Sequence, residues 1–543
     1  MIRALKRTRG VPIPLARRRS QPHSTPAPVA GWNARDSIAS MKEDEAVILD
    51  NWFPEESWVR VRRGYIEHTP ARVYLTDETG EVLVTEDDQP IVFTHGIDGT
   101  VESLMAYNGP AANKLFAAVN GEIMDITIAG EPLEPAYQSL SNDRWQHTMF
   151  GNSAGNFLYI VNGEDEPRYF DGSTWTIPSL SGSGLTTTNL VHIAAFKQRL
   201  LFAEVGSLSF WYPANVETIS GTLVEFRLDA YCKLGGYLMA IASWTRDGGA
   251  GIDDLAVFIT SEGEALLFAG TDPGSANTWA LIGTFYIGKP IGRRCFVKWG
   301  ADLIVVTESG FLPLSRVLTA VDAEEIAISN RISGAVSEAA LTYMNNFGWQ
   351  AIIYPTRNMA LFNIPVVEGT TVYQYVMNTT TRAWCRFTGL NASCWEVSAG
   401  HIYFGALDAV YHYDDDDADL GENIQTDALT SFSYFKRRGV KKALRMVRPV
   451  METIGSAYIA LEANMDFKQT LPTAVPTFQA DEGSAWDVAE WDVASWGAGV
   501  TIQKNWKRVS GLGIAAALRM KTSTRGLMKW NSTDWLIEVG GPL

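Results

Sequence analysis

From about Val101 to about Tyr413 the chain repeats one short phrase: four to seven apolar residues, a tight turn of Gly, Asn or Asp, a second apolar run, and an aromatic residue at a strand end. KLFAAVNGEIMDI, QRLLFAEVGSLSFWYP, LAVFITSEGEALLF and DLIVVTESGFLPLS all follow it. Runs this short, bounded by turn residues, read as strands. Asn120-Gly121 and Glu262-Gly263 fall between such runs, where a two-residue turn needs the positive φ that glycine supplies. Antiparallel hairpins should therefore succeed one another roughly every forty to fifty residues, a period that points to propeller blades. The fold class read from this pattern is mainly β, a β-propeller-like domain of antiparallel blades with a helical insertion, plus a β-rich C-terminal domain.

Three tryptophans recur in the same place within the phrase. Trp175, Trp279 and Trp384 each follow a polar turn, in GSTW, SANTW and TRAW. The reading is of an indole packed between sheets, in preference to three separate sugar platforms.

Around this core the chain divides as follows. Residues 1–30 form a basic flexible tail and 31–100 a mixed segment, in which Trp58 to Arg62 alternates like a strand. The propeller-like domain spans 101–413. Within it 322–345 reads as a helical insertion, with acids at its start as a helix N-terminus favours and Gly334 dividing or bending it. The run DDDDADLGENIQ makes 414–424 an acidic, solvated linker, and 425–543 a C-terminal β domain. Trp486, Trp491 and Trp496 lie five apart, a period of neither helix nor strand, so they belong to an irregular loop.

Composition limits the function. With 543 residues, 46% hydrophobic and 20% charged, the chain can bury a substantial core. No apolar run approaches the roughly 20 residues of a membrane helix, and the first thirty residues lack the apolar stretch of a signal peptide. A soluble protein made in a cytoplasm is expected. Cys232, Cys295, Cys385 and Cys394 make no CxxC pair, so neither a zinc site nor a disulfide framework is indicated. The net charge is −16, yet Arg3, Lys6, Arg7, Arg9, Arg17, Arg18 and Arg19 stand in the first thirty residues without a single acid. The body is thus more acidic than the total, and a body of that sign should not grip nucleic acid. The basic tail could meet DNA, an acidic protein surface or only solvent.

Apparent active-site motifs fail on context. Gly283 to Lys289 satisfies GxxxxGK, but Pro290 stands where a phosphate loop needs Ser or Thr. Gly151-Asn-Ser153-Ala-Gly155 matches GxSxG, but a strand follows instead of a helix, so a hairpin turn is expected. The seven histidines show no metal spacing. Asp415, Asp417 and Asp419 alternate like calcium ligands, but Leu420 replaces the glycine of the sharp turn. Asp171-Gly-Ser-Thr-Trp175 is close to the aspartate turn of sialidase-type propellers, with Tyr169 where that turn has Ser or Thr. No catalytic, cofactor-binding or metal-binding residue is nominated, and no cofactor is expected.

GWNARDSIASMKEDEAVILDNWFP, GTDPGSANTWALIGTFYIGKPIGRRC, YQYVMNTTTRAWCRFTGLNASCWEV and the terminal GGPL resemble a family of structural proteins from the virions of tailed phages and prophages. The resemblance runs from Gly31 over nearly the whole chain, with divergence in Val73 to Pro90 and in the C-terminal third. The architecture is similar to that of the tail nozzle, or tail tubular B, proteins of short-tailed phages. That resemblance implies a six-subunit ring in the virion that adjoins adaptor or portal proteins, surrounds the DNA ejection channel without binding the genome specifically, and anchors fibres or a needle. It implies no catalytic residues. The candidate assembly contacts are the basic residues Arg3 to Arg19 named above, the helical insertion, and Trp486, Trp491 and Trp496. Two other classes compete. A glycan-binding or glycan-cleaving propeller would carry clustered Arg and acids at one end of its blades, and another connector or scaffold propeller would be a monomer with a peptide-binding face.

Overall fold

Among the described residues, seven mainly antiparallel sheets succeed one another along the chain, and tight turns set the registers of their hairpins. In the first sheet Val119 pairs with Glu122 across Asn120 at φ 50° and Gly121 at φ 76°, a two-residue turn with both centres left-handed. The Glu262-Gly263 turn is one residue longer than expected, because the strands end at Thr260 and resume at Glu264. Gly263, at φ 88°, donates its amide to the Thr260 carbonyl at 3.1 Å. The computed structural model describes residues 20–77, 81–85, 90–94, 96–130, 135–247, 252–317, 326–454, 458–473 and 500–542.

The sheets begin with Ser103–Asn108, Gln146–Asn152, Leu190–Phe196, Leu238–Asp247, Phe296–Trp299, Gln350–Tyr354 and Cys394–Ser398. Each sheet's opening strand region packs against the next, and Cys394–Ser398 returns to pack against Ser103–Asn108. The arrangement is propeller-like. Because every sheet is covered on two faces, its second strand is buried almost throughout, as in Asn113–Val119, Gly155–Val161 and Met359–Val367. That explains why the sequence there shows continuous apolar runs where a half-exposed strand would alternate.

The recurring tryptophans each open the fourth strand of a hairpin-linked run, in Trp175–Thr176, Trp279–Tyr286 and Trp384–Phe387. Each reaches the preceding sheet. Trp175 meets Phe116 edge-on at 5.0 Å, Trp279 meets Phe196 at 6.0 Å, and Trp384 meets Phe311 at 5.9 Å. Trp279 also stacks on Phe268 of its own sheet at 5.3 Å. These indoles fill the wedges between sheets, as the sequence pattern implies.

The seventh sheet takes its outer strand from far upstream. Gly64–Thr69 pairs with Ala409–Asp416, so the N-terminal segment completes the last sheet. The rest of that segment enters the sixth. Gly31–Trp32 and Glu45–Asp50 continue it beyond Trp384–Phe387, and Ile424–Thr430, Ala516–Thr524 and Tyr458–Met465 extend it to nine strands. Gly31 stands at the joint with φ 84°, where a Cβ would lie 2.5 Å from the Trp384 carbonyl oxygen. A further seven-stranded sheet joins Gln21–Pro26 and Val59–Val61 to the long pair Val440–Ile454 and Met528–Pro542. Segments near both ends of the described residues thus share one layer.

The acidic run expected as a solvated linker is folded. Asp414 to Asp416 finish a strand, and Arg62 donates to both oxygens of Asp419 at 2.8 and 2.6 Å. Arg357 holds Asp414 at 2.7 Å, and Arg63 holds Asp417. A run of like charges coils loosely only while no cation enters it. Here three arginines from elsewhere in the fold pair with Asp414, Asp417 and Asp419. Of the helical insertion, 322–325 lie outside the described residues. The remainder gives a single turn of 3-10 helix, Asn330–Ile332, and the helix Ser333–Tyr343. Gly334 lies at the start of this helix and does not divide it.

Candidate functional site

The opening strands of the seven sheets leave a space along their common axis. It comprises one cavity of ≈ 680 Å³ at a mouth and a second of ≈ 250 Å³, and Gln146, Arg293 and Arg294 border both. The two arginines come from the short connection Ile291-Gly-Arg-Arg-Cys295 between the fourth and fifth sheets, which the buried Ile291 and Cys295 pin on either side. Arg294 donates from Nη2 to the Ser103 hydroxyl at 2.7 Å and to the carbonyls of Glu102 and Trp145 at 3.0 and 3.2 Å. Its guanidinium lies 5.3 Å from the Phe347 ring centre. Arg293 donates to the Met239 carbonyl at 2.9 Å. Burial makes the charged form of both arginines less favourable, yet a guanidinium stays protonated in proteins.

Beside the second cavity, the exposed Lys298 donates to the Ser243 hydroxyl at 2.6 Å. His147 faces Glu396 at 3.2 Å. His192 is pulled down to about 3, first by burial and then by the Arg293 charge, so it is neutral near pH 7. Its Nδ1 accepts the Ile241 amide at 3.3 Å. This imidazole ties the third sheet to the fourth. At the mouth, Arg144 donates from Nη2 to Glu102 Oε1 at 3.0 Å and from Nε to Oε2 at 3.2 Å, and stacks 4.2 Å from Phe347. Lys289 pairs with Glu262 at 2.8 Å. Chemically the space offers positive charge and N–H donors to whatever enters it.

The motifs weighed in the sequence resolve as turns and strands. Gly283 lies inside the strand Trp279–Tyr286, and Lys289 is engaged by Glu262, so no loop cradles a phosphate there. Ser153 and Ala154 form the hairpin turn between Asn152 and Gly155. Asp171 accepts the amides of Ser173 and Thr174, each at 2.8 Å, and these bonds hold its carboxyl below the usual range. That carboxylate closes a turn. No group of three or more His, Cys, Asp or Glu able to hold a metal occurs among the described residues.

Arg3, Lys6, Arg7, Arg9, Arg17, Arg18, Arg19, Trp486, Trp491 and Trp496 lie outside the described residues. The sequence reading passed over Arg144, Arg293, Arg294 and Lys298. Their only signal is a basic pair in a short connection of an acidic chain, and nothing local says that this connection borders an axis.

No family model and no curated protein matches the chain. Among solved structures, the crystal structure of BBS1N in complex with ARL6DN, soaked with lead, is similar with a TM-score of 0.38 at 11% identity, over 66% of this chain and 100% of that one. A likeness at that level carries no argument about what this chain does.

Proposed function

We propose that this chain is a structural subunit of a phage tail, a non-enzymatic nozzle or hub that forms a closed ring, most simply a homohexamer, around the DNA ejection channel in the virion. The seven sheets are then the blades of a β-propeller. The layer shared by segments near both ends of the described residues is the candidate seat for neighbouring subunits, for adaptor or portal proteins, and for fibres or a needle. The observation that supports this reading is the weaving of the termini. Gln21–Pro26, Glu45–Asp50 and Gly64–Thr69 are all strands bound into sheets with segments more than three hundred residues away. Strands paired at such sequence distance tie the two halves of the described chain to one another, as a body under load requires. The sequence resemblance to virion proteins points the same way, and the acidic net charge of −16 suits a conduit that DNA must slide past. Identical subunits in a closed ring would use heterologous interfaces.

Electron microscopy of the purified chain, alone and with portal and adaptor proteins of a short-tailed phage, tests the proposal. Rings with a central opening are the expected result, and a monomer under all conditions would overturn it. The second reading, a carbohydrate-binding or glycan-cleaving propeller, draws on the basic side chains that share one mouth of the axial space with Glu164 and Glu262. Hydrolysis of an acidic polysaccharide by the pure chain would establish it in place of the first.

A further inference from the structure

Unpaired charges of opposite sign lie beyond the two ends of the long strand pair Val440–Ile454 and Met528–Pro542. At one end, the turn that leads into Val440–Ile454 exposes Lys436, Arg437, Arg438 and Lys441. The turn is held from within: the buried Lys442 donates from Nζ to the carbonyls of Arg437, Val440 and Ile514 at 2.6, 3.0 and 2.7 Å, and Phe435 packs on Trp535 in the core. None of the four exposed cations has an ion pair among the described residues, whereas Arg445 and Arg448 further along are taken by Glu538 and Asp534. Of the charges that act on His23 beside this turn, Arg437, Lys436 and Lys442 are cations and Glu43 is the acid, and the Glu43 carboxylate accepts the Ser433 hydroxyl at 2.6 Å. Leu512, 66% exposed, stands opposite Ala443 next to the turn. Ser20, which directly follows Arg17, Arg18 and Arg19, joins this end by donating to Glu538 at 3.3 Å.

The other end leads to acids. Lys529 pairs with Arg60, and the antiparallel chain then runs on past Met528, away from the basic turn, into Gly64–Thr69. There Asp419 and Asp417 occupy Arg62 and Arg63, and Glu67 and Glu422 are left exposed without an ion pair among the described residues. The exposed Asp415 faces His412 at 3.6 Å, an imidazole whose charged form burial disfavours. Ile66 and Leu420 are exposed beside these acids, and the Leu420 amide donates to the Tyr65 carbonyl at 3.0 Å, which sets the 420–422 turn along the outer edge of the seventh sheet. At about 3.3 Å per residue the strand pair puts roughly 40 Å between the basic turn and this rim. Over that distance exposed charges are screened from each other, so the two surfaces do not neutralise one another within one chain.

We propose that the basic turn docks on the acidic rim of a second copy of this chain, head to tail. Two chains of net charge −16 repel as wholes, so they associate through surfaces of opposite sign. These two supply such surfaces, with Leu512 on one and Ile66 and Leu420 on the other to exclude water. The contact is heterologous, and its repetition gives a ring where the rotation closes. It rests on the ring reading above and specifies an interface for it.

Sedimentation velocity of the full chain tests the contact. The parent should associate at about 50 mM NaCl, and its dissociation constant should rise about tenfold or more at about 500 mM, because salt screens exposed pairs. Reversing the turn (Lys436→Glu, Arg437→Glu, Arg438→Glu) or the rim (Glu67→Lys, Asp415→Lys, Glu422→Lys) should leave a monomer in each case. An equimolar mixture of the two reversed chains should associate again, since each offers the surface that the other lacks. All six side chains are at least partly solvated, and a circular dichroism spectrum matching the parent's is the check on folding. Should a reversed chain misfold, the neutral set Lys436→Gln, Arg437→Gln, Arg438→Gln takes its place, with at least about tenfold weaker association expected. Either folded variant associating as strongly as the parent, a mixture that stays monomeric, or a parent that is monomeric by itself would sink the contact. Rings that form only with portal and adaptor proteins, or that survive both reversals, would keep the ring reading without it. Duplex DNA bound by the parent and lost from the turn variant, with self-association unchanged, would assign the turn to nucleic acid and overturn the contact.

Discussion

The second sheet and the nine-stranded sheet use the same residue types and are assembled in opposite ways. The second is a meander from Gln146 to Thr176, each strand pairing with its sequence neighbour. The nine-stranded sheet joins Gly31–Trp32 to Trp384–Phe387 and then to Ile424–Thr430 and Ala516–Thr524. In the first, a local turn is enough to set the register. In the second, the register depends on packing between segments that share no turn, such as the bidentate Arg386–Asp50 bonds at 2.8 and 2.7 Å. Local sheets should therefore tolerate damage piecemeal, whereas the terminal layer should fail as a unit.

The largest effect is expected from deleting Met528–Leu543, which removes the partner of Gln21–Pro26, Val59–Val61 and Val440–Ile454 together. Hydrogen exchange should show protection lost across the whole terminal layer. Protection retained in Gln21–Pro26 would break the comparison. Next, Trp279→Ala empties the wedge between the third and fourth sheets and should cost about 3–5 kcal/mol in denaturant unfolding, with faster exchange confined to those two sheets.

His192 gives a pH test of the same seam. Its folded pKa of about 3 lies below the unfolded 6.5, so the unfolded chain binds the extra proton between these values. The stability is fully present above pH 6.5 and is lost as pH falls toward 3, by at most about 5 kcal/mol. His192→Asn keeps an acceptor for the Ile241 amide and should flatten that part of the stability profile. The smallest effect belongs to a single turn. Gly121→Ala places a Cβ at φ 76° and 2.7 Å from the Leu140 carbonyl oxygen, and should lower stability by about 1–2 kcal/mol without shifting any register.

The same contrast governs what could be read from the sequence. The hairpins at Asn120-Gly121 and Asn152 to Gly155 were legible because turn chemistry and apolar runs sit within a dozen residues of each other. So was the role of Trp175, Trp279 and Trp384, since each follows its turn directly. The fate of the acidic run was not legible. Asp419 is held by Arg62, which stands more than three hundred residues earlier, and no periodicity reports such a partner. The axial cations were hidden for a related reason. Arg293 and Arg294 become notable only when seven opening strands converge, and convergence is a property of the closed circle of sheets.

The strand Gly64–Thr69 also sets a clock. It leaves the ribosome about 340 residues before Val410, the partner of Thr69, so at roughly 5–20 residues per second it waits on the order of twenty seconds to a minute. During that interval both Gly64–Thr69 and the growing array of sheets carry unpaired edges, the state in which chains associate wrongly. The circle can shut only when the seventh sheet has been synthesised. Closure is therefore expected to be a late, slow kinetic phase, and the yield of correctly assembled protein should depend on how well that one early strand is kept from pairing elsewhere.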